Sequence, residues 1–150
     1  MIYYRYRGGV ISLQCFETRV RVRFGETDML GHVNNAVYMT YLEEARIEFL
    51  YQALSLNSMP FIMASARMDY VRQAFFPGSL RITTGVSKIG RTSFDITHQI
   101  FGGEPEHVVM NAQVTLVHFD YASQQATPLP QHFRDIFLQY STEPLFTAYR

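Results

Sequence analysis

One loop in the first third of the sequence combines a carboxylate with the predicted start of a helix. This loop, residues 25–34, contains Asp28, followed by Gly31 and His32. A helix N-terminus exposes unpaired N–H groups and the positive end of the helix dipole, so it can polarise a carbonyl group and stabilise an oxyanion. Asp28 would act on the carbonyl carbon or on a water molecule beside it, and Gly31 would let a substrate approach the backbone closely. An ordinary turn with a solvent-facing His32 would also explain these residues.

A strand and a long helix are predicted on either side of the loop. Residues 18–24 alternate, which is typical of a half-buried strand: Thr18, Val20, Val22 and Phe24 share one side, and Arg19, Arg21 and Arg23 share the other. The arginines would form a solvated outer face or, alternatively, bind phosphate. From Asn35 to about Ala53, apolar residues recur every three or four positions, which predicts a helix with Asn34 or Asn35 as its N-cap.

The rest of the sequence predicts an antiparallel sheet and a short final helix. β-Branched and aromatic residues cluster in four predicted strands, at 61–71, 80–89, 92–101 and 108–119, and an apolar pattern predicts a helix at 129–140. The gaps between the strands are too short for the crossovers that parallel strands need, which favours hairpins. The order predicts an α+β fold in which a curled antiparallel sheet wraps around one long central helix.

Length, charge and cysteine content exclude several classes of protein. The chain has 150 residues, which fits an N-terminal arm at 1–15 and a single domain at 16–150. Thirteen basic and thirteen acidic residues give no net charge, which argues against a dedicated nucleic-acid binder. Cys15, the single cysteine, cannot form an internal disulfide, and no apolar stretch is long enough to span a membrane. We therefore expect a cytoplasmic protein with no metal site and no membrane association.

The loop and the predicted helix carry a recognisable motif. Residues 21–46 read RVRFGETDMLGHVNNAVYMTYLEEAR, and their core is Asp-x-x-Gly-His-Val-Asn-Asn-x-x-Tyr, from Asp28 to Tyr38. This run resembles the signature of the 4-hydroxybenzoyl-CoA thioesterase family, a branch of the hotdog-fold acyl-CoA thioesterases. Similar residues recur at 69–74, 90–93 and 129–130, so the resemblance extends over about residues 18–133.

The resemblance implies a hotdog fold and hydrolysis of acyl-CoA thioesters to a free acid and coenzyme A, with no cofactor. It also implies a homodimer or homotetramer with active sites at the subunit interface. Asp28 falls on the family's catalytic aspartate, either a nucleophile or a general base. The amide of Asn35, and that of Asn34 as a second candidate, would polarise the thioester carbonyl. The residues implied to bind substrate are Gly31, His32, Val33, Asn34, Arg91, Thr92 and Ser93, with Arg91 near the phosphates of coenzyme A.

Departures from the family pattern leave the substrate open. Met29 and Leu30 replace smaller residues, and Gln73 stands where proline is frequent. Glu43 is interpreted as a structural partner of Arg46 three residues later rather than as a catalytic group. Two alternative functions are a thioesterase that acts on acyl carrier protein and a non-catalytic acyl-CoA-binding module. The acyl group is undetermined: Met29, Leu30, Met59, Phe61 and Met63 are candidates for its site, with the last three favoured as core residues.

Overall fold

The structure is a computed structural model that describes residues 2–6 and 9–146, with side chains from residue 14 onward. β1 (Ile2–Tyr6) and β2 (Gly9–Leu13) form an antiparallel hairpin separate from the main sheet. The main sheet contains β3 (Phe16–Val22), β4 (Phe61–Tyr70), β5 (Gly78–Ile89), β6 (Ser93–Gly102), β7 (His107–Asp120) and β8 (Gln125–Ala126). Its order is β3-β5-β6-β7-β4, all neighbours are antiparallel, and β8 pairs with β7. The division of the chain into an arm at 1–15 and a domain at 16–150 stays a prediction.

The long helix lies where the sequence predicts it. α1 spans Asn35–Leu54, and its N-cap is Asn34, whose side-chain oxygen accepts a hydrogen bond from the Ala36 N–H at 3.0 Å. Its buried residues join two apolar clusters, one containing Leu42 and the other containing Phe49. α2 (Gln131–Gln139) packs Phe133 and Phe137 into the second cluster. The core therefore lies between one face of the sheet and the two helices.

Two details of the predicted sheet are wrong. β3 buries Thr18, Val20 and Val22 and exposes the arginines between them, as predicted, but Phe24 is 77% exposed because a 3₁₀ turn at Phe24–Glu26 replaces the end of the strand. The predicted hairpin between β4 and β5 does not form. β4 pairs with β7 instead, at the far edge of the sheet, while β5 pairs with β3 and β6. Among the described residues, no helix is long and apolar enough to cross a membrane.

Candidate active site

Backbone hydrogen bonds hold the Asp28 carboxylate in place. Its Oδ1 atom accepts from the N–H groups of Leu30 at 2.8 Å and of His32 at 3.1 Å. The Asp28 N–H donates to the His32 carbonyl at 2.8 Å, so the loop closes on itself. Gly31 has φ +80°, a left-handed conformation that side chains disfavour, and this turn brings both amides to one oxygen. Within the described residues, Oδ2 has no hydrogen-bond partner, which leaves it available to a substrate or a water molecule.

Glu26 anchors this loop to the helix. Its carboxylate Oε2 accepts from the Tyr41 hydroxyl at 2.6 Å and from the Arg23 N–H at 2.7 Å. Its backbone carbonyl accepts from the Asn34 N–H at 2.9 Å. The Asn34 amide is thus already engaged. Of the two amides that the resemblance implies, that of Asn35 is the one open to a ligand.

Asn35 is the first residue of α1, and its backbone N–H and carbonyl differ in their hydrogen bonding. No acceptor among the described residues contacts its N–H, as expected for the first turn of a helix. Its carbonyl oxygen accepts from the Tyr70 hydroxyl at 3.0 Å. The open N–H lies at the positive end of a helix of 20 residues, where a carbonyl oxygen or an oxyanion is stabilised.

Asp28 and Asn35 line the same cavity, which has a volume of about 190 Å³. Its walls are formed by Asp28, His32, Val33, Asn35, Tyr38, Tyr70, Val71, Arg72 and Gln73. Tyr38 is buried, and this burial raises the pKa of its phenol. The His32 ring packs edge-on against Phe75, with ring centroids 4.9 Å apart. The arrangement brings a carboxylate and the residue with an unpaired amide to the wall of one small cavity beside a helix start, which suits attack on a carbonyl group.

The wall at residues 70–73 is not predicted as part of the site from the sequence. Tyr70 is the last residue of β4, and the chain then turns because the N–H groups of Val71 and Arg72 both donate to the Val109 carbonyl. Tyr70 meets α1 through its hydrogen bond to Asn35 and its ring contact with Tyr38. The run DYVRQA at 69–74 is noted above as a point of resemblance, but its position in the cavity depends on strand order.

Three implied binding residues lie away from this cavity in the same chain. At one end of β5, Gly78 pairs with Val22, and at the other Ile89 pairs with Phe94. Because a strand rises about 3.3 Å per residue, these ends are roughly 35 Å apart as measured along the strand. Arg91, Thr92 and Ser93 follow the far end, and the Arg91 carbonyl accepts there from the Leu129 N–H at 2.9 Å.

The residues that the sequence analysis named as candidates for the acyl site lie in different parts of the structure. Met29 and Leu30 are exposed beside Asp28 but do not line the cavity. Phe61 is buried and Met59 is partly buried in the second apolar cluster, as favoured, whereas Met63 is 44% exposed on the edge strand, so its assignment to the core is wrong. The predicted contact between Glu43 and Arg46 is present, at 3.9 Å.

Known proteins are similar to this chain in sequence and in fold. A family model described as the thioesterase-like superfamily matches residues 22–137. The chain belongs to this superfamily. The match confirms the family predicted from the motif, and with it the prediction that the protein is a thioester hydrolase. Within the described residues, this thioesterase-like protein has no group of three or more His, Cys, Asp or Glu side chains that could hold a metal ion.

Curated and solved relatives agree with this assignment. The thioesterase-like chain is 32% identical over 125 residues to the long-chain acyl-CoA thioesterase FadM of Escherichia coli, covering 79% of this chain and 94% of FadM. A predicted thioesterase from Bacillus stearothermophilus superposes with a TM-score of 0.81 and 25% identity, covering 87% of this chain and 99% of that one. A Thermus thermophilus thioesterase solved with coenzyme A and zinc has a TM-score of 0.73 and 29% identity, covering 81% and 95%. The predicted hotdog fold is confirmed.

Proposed function

We propose that this protein hydrolyses acyl-CoA thioesters, with Asp28 and the Asn35 N–H as its catalytic groups. One observation carries the proposal: the Asp28 carboxylate and the open amide at the start of α1 line one cavity. The relatives support the substrate class, because FadM is named as an acyl-CoA thioesterase and the Thermus protein was solved with coenzyme A. Neither relative identifies the acyl group that this protein would accept.

The proposed reaction begins with the thioester carbonyl oxygen hydrogen-bonded to the Asn35 N–H. This contact strengthens as the oxygen gains negative charge, and so it favours the transition state. In one route, Asp28 Oδ2 attacks the carbonyl carbon, coenzyme A leaves as a thiolate that takes a proton from water, and water then hydrolyses the mixed anhydride. In the other, Asp28 removes a proton from the water that attacks the thioester directly, the C–S bond breaks, and the coenzyme A thiolate that leaves takes up that proton.

Release of free thiol tests the activity, and trapping tests the route. The purified protein is expected to release coenzyme A from at least one of a short-chain, a long-chain and an aromatic acyl-CoA. No thiol release from any of the three would contradict the proposal. In ¹⁸O-labelled water under single turnover, label in the Asp28 carboxylate would identify the anhydride route. Hydroxylamine, which converts an aspartyl anhydride to a stable hydroxamate, provides a second readout of that intermediate.

We further propose that the active protein is a homodimer joined along β4. β4 is one of the two terminal strands of the sheet order, and residues 64–66 on it are exposed. An unpaired strand edge is a template for pairing with another chain. The resemblance implies that Thr92 and Ser93 bind substrate, and because in one chain they do not line the Asp28 cavity, a second copy would have to supply them.

A charge placed on the β4 edge tests the dimer. Met63 is 44% exposed on β4, and Leu138, 49% exposed on α2, is a matched apolar control. We expect the parent to sediment with a mass of twice 17.4 kDa. Met63→Lys should raise the dissociation constant of the dimer by about tenfold or more, because a desolvated charge at an interface costs several kcal/mol. Leu138→Lys should remain dimeric. A monomeric parent, or equal dissociation constants for the two variants, would rule out this interface.

A further inference from the structure

Arg134 on α2 anchors the turn between β5 and β6, residues 90–92. Its Nη2 atom donates to the Gly90 carbonyl at 2.7 Å and to the Arg91 carbonyl at 3.0 Å. Its Nε atom donates to the Leu129 carbonyl at 3.4 Å, just before α2 begins. The Arg91 carbonyl has a second donor, the Leu129 N–H at 2.9 Å. Among the described residues, the Gly90 carbonyl has no donor other than Arg134.

Two consecutive N–H groups of this β5–β6 turn are open. Those of Arg91 and Thr92 have no acceptor within the described part of the chain. The Gly90 carbonyl and the Arg91 N–H belong to one peptide unit, and the Arg91 carbonyl and the Thr92 N–H to the next. Because the C=O and N–H of a trans peptide point in opposite directions, Arg134 turns both N–H groups away from itself by holding both carbonyls. Successive N–H groups presented by a turn form a binding site for an anion.

Positive charge surrounds the β5–β6 turn. Lys88 and Arg91 are exposed, and Arg134 is half-buried. Among the residues whose side chains are described, none of these three cations lies within ion-pair distance of a carboxylate. Asp95 pairs with Lys88 in register, but its carboxylate accepts hydrogen bonds from two side chains of β7 instead. The turn therefore combines open N–H donors with unpaired positive charge, which suits a phosphate group.

We infer that Arg134 is a positioning residue for coenzyme A, which fixes the β5–β6 turn so that Arg91 and the two open N–H groups meet the phosphates. The inference rests on the proposed function, because acyl-CoA is the ligand and the resemblance implies that Arg91 lies near its phosphates. Arg134 acts through the turn, since its Nη2 and Nε atoms are already bonded to carbonyl oxygens. The turn does not line the Asp28 cavity of its own chain, so in the proposed dimer it would serve the cavity of the second copy.

Arg134→Met tests this inference, because it keeps a long side chain on α2 and removes the donors. The Gly90 carbonyl then loses its donor, and its peptide unit is no longer held in one orientation. We expect KM for acyl-CoA to rise about tenfold with kcat within about twofold, the scale of one hydrogen bond to a charged group. For the same acyl group on pantetheine, which has no phosphate, kcat/KM should stay parental. Arg21, exposed on β3, is a matched control, and Arg21→Met should keep the parental KM.

A double variant separates positioning from direct contact with the phosphates. Arg91→Met alone should also raise KM for acyl-CoA. With both substitutions, the increase should be smaller than the product of the two single increases, because Arg134 acts through the group that it positions. Increases that multiply would show that Arg134 acts independently of Arg91, which would refute the inference. If Arg134→Met does not fold, Arg134→Lys gives the same test, since an ammonium group lacks the planar fork of a guanidinium and should also raise KM selectively.

Binding of coenzyme A, measured by calorimetry, keeps this inference apart from the proposed function because it needs no turnover. Arg134→Met should bind coenzyme A about tenfold more weakly than the parent. If the parent hydrolyses acyl-CoA and Arg134→Met keeps its KM, the role of Arg134 is refuted while the proposed function stands. Equal losses of kcat/KM for acyl-CoA and acyl-pantetheine would refute it as well, since they indicate a purely structural role. A parent that binds coenzyme A through Arg134 but releases no thiol would refute the proposed function alone.

Discussion

Asp28→Asn is expected to lower kcat/KM for acyl-CoA hydrolysis by about 10²-fold or more, without a change in fold. An amide is neither an effective nucleophile nor a base, so both proposed routes lose their reacting group. The loop should survive because the asparagine Oδ1 atom can still accept from the N–H groups of Leu30 and His32. Initial rates of thiol release measure the loss, and circular dichroism with sedimentation checks the fold and the assembly.

A second aspartate offers a close control for this substitution. Asp120 also caps a turn, with its Oδ1 atom accepting from the Ala122 N–H at 3.0 Å, but it lies at the end of β7 and outside the cavity wall. Asp120→Asn makes the same chemical change in a similar local structure. It should retain parental kcat/KM. Hydrolysis by Asp28→Asn at the parental rate would eliminate Asp28 as nucleophile and as base.

Stability toward acid should depend on a histidine in the core, His98 on β6. His98 is fully buried, and its Nδ1 atom lies 2.9 Å from the Thr84 hydroxyl, also buried. Burial, and secondarily the positive charge of Arg46, lowers the pKa of His98 to about 3. Arg46 is itself buried on α1, and burial lowers the pKa of its guanidinium. The folded protein therefore holds a neutral imidazole at a position where a proton would be costly.

The free energy of unfolding is expected to fall as the pH decreases below about 6.5. In the unfolded chain His98 takes up a proton near that pH, whereas in the folded state it does so only near pH 3. The unfolded state thus binds more protons in this interval, and His98 alone should cost about 1.4 kcal/mol of stability per pH unit. Between pH 6.5 and pH 4 the loss from this residue reaches about 3 kcal/mol. Above pH 6.5 the contribution is constant.

Comparison of two histidine variants isolates this effect from the titration of carboxylates. Urea unfolding at pH 7, 6, 5 and 4 gives the free energy of unfolding at each pH. This free energy should fall less steeply with decreasing pH in His98→Gln than in the parent. His132 is exposed, and His132→Gln should show the parental pH dependence. Carboxylates titrate alike in all three proteins and cancel in the comparison. NMR titration of the parent provides a test that needs no variant. A His98 ring that becomes charged above pH 5 would contradict the prediction.

Local sequence patterns specify several elements of this protein because local interactions decide them. The apolar period over α1 reflects which side of a helix can pack, and Asn34 caps the first turn by a bond to Ala36, two residues away. The alternation in β3 follows from the two-residue period of a strand. The motif from Asp28 to Tyr38 likewise spans one loop and one helix start. The sequence therefore predicts these elements and the family without knowledge of distant contacts.

Contacts distant in sequence decide the rest. β4 pairs with β7 rather than with its sequence neighbour β5, and no local pattern reveals this, because strands of similar composition can pair in several orders. That pairing places Tyr70 and Arg72 against the start of α1 and keeps Arg91, Thr92 and Ser93 at the other end of the sheet. Sequence by itself determined the central helix and predicted which carboxylate, that of Asp28, stands before its first turn. The tertiary structure alone decided the wall that faces them, since a cavity is formed by segments brought together only when the sheet assembles.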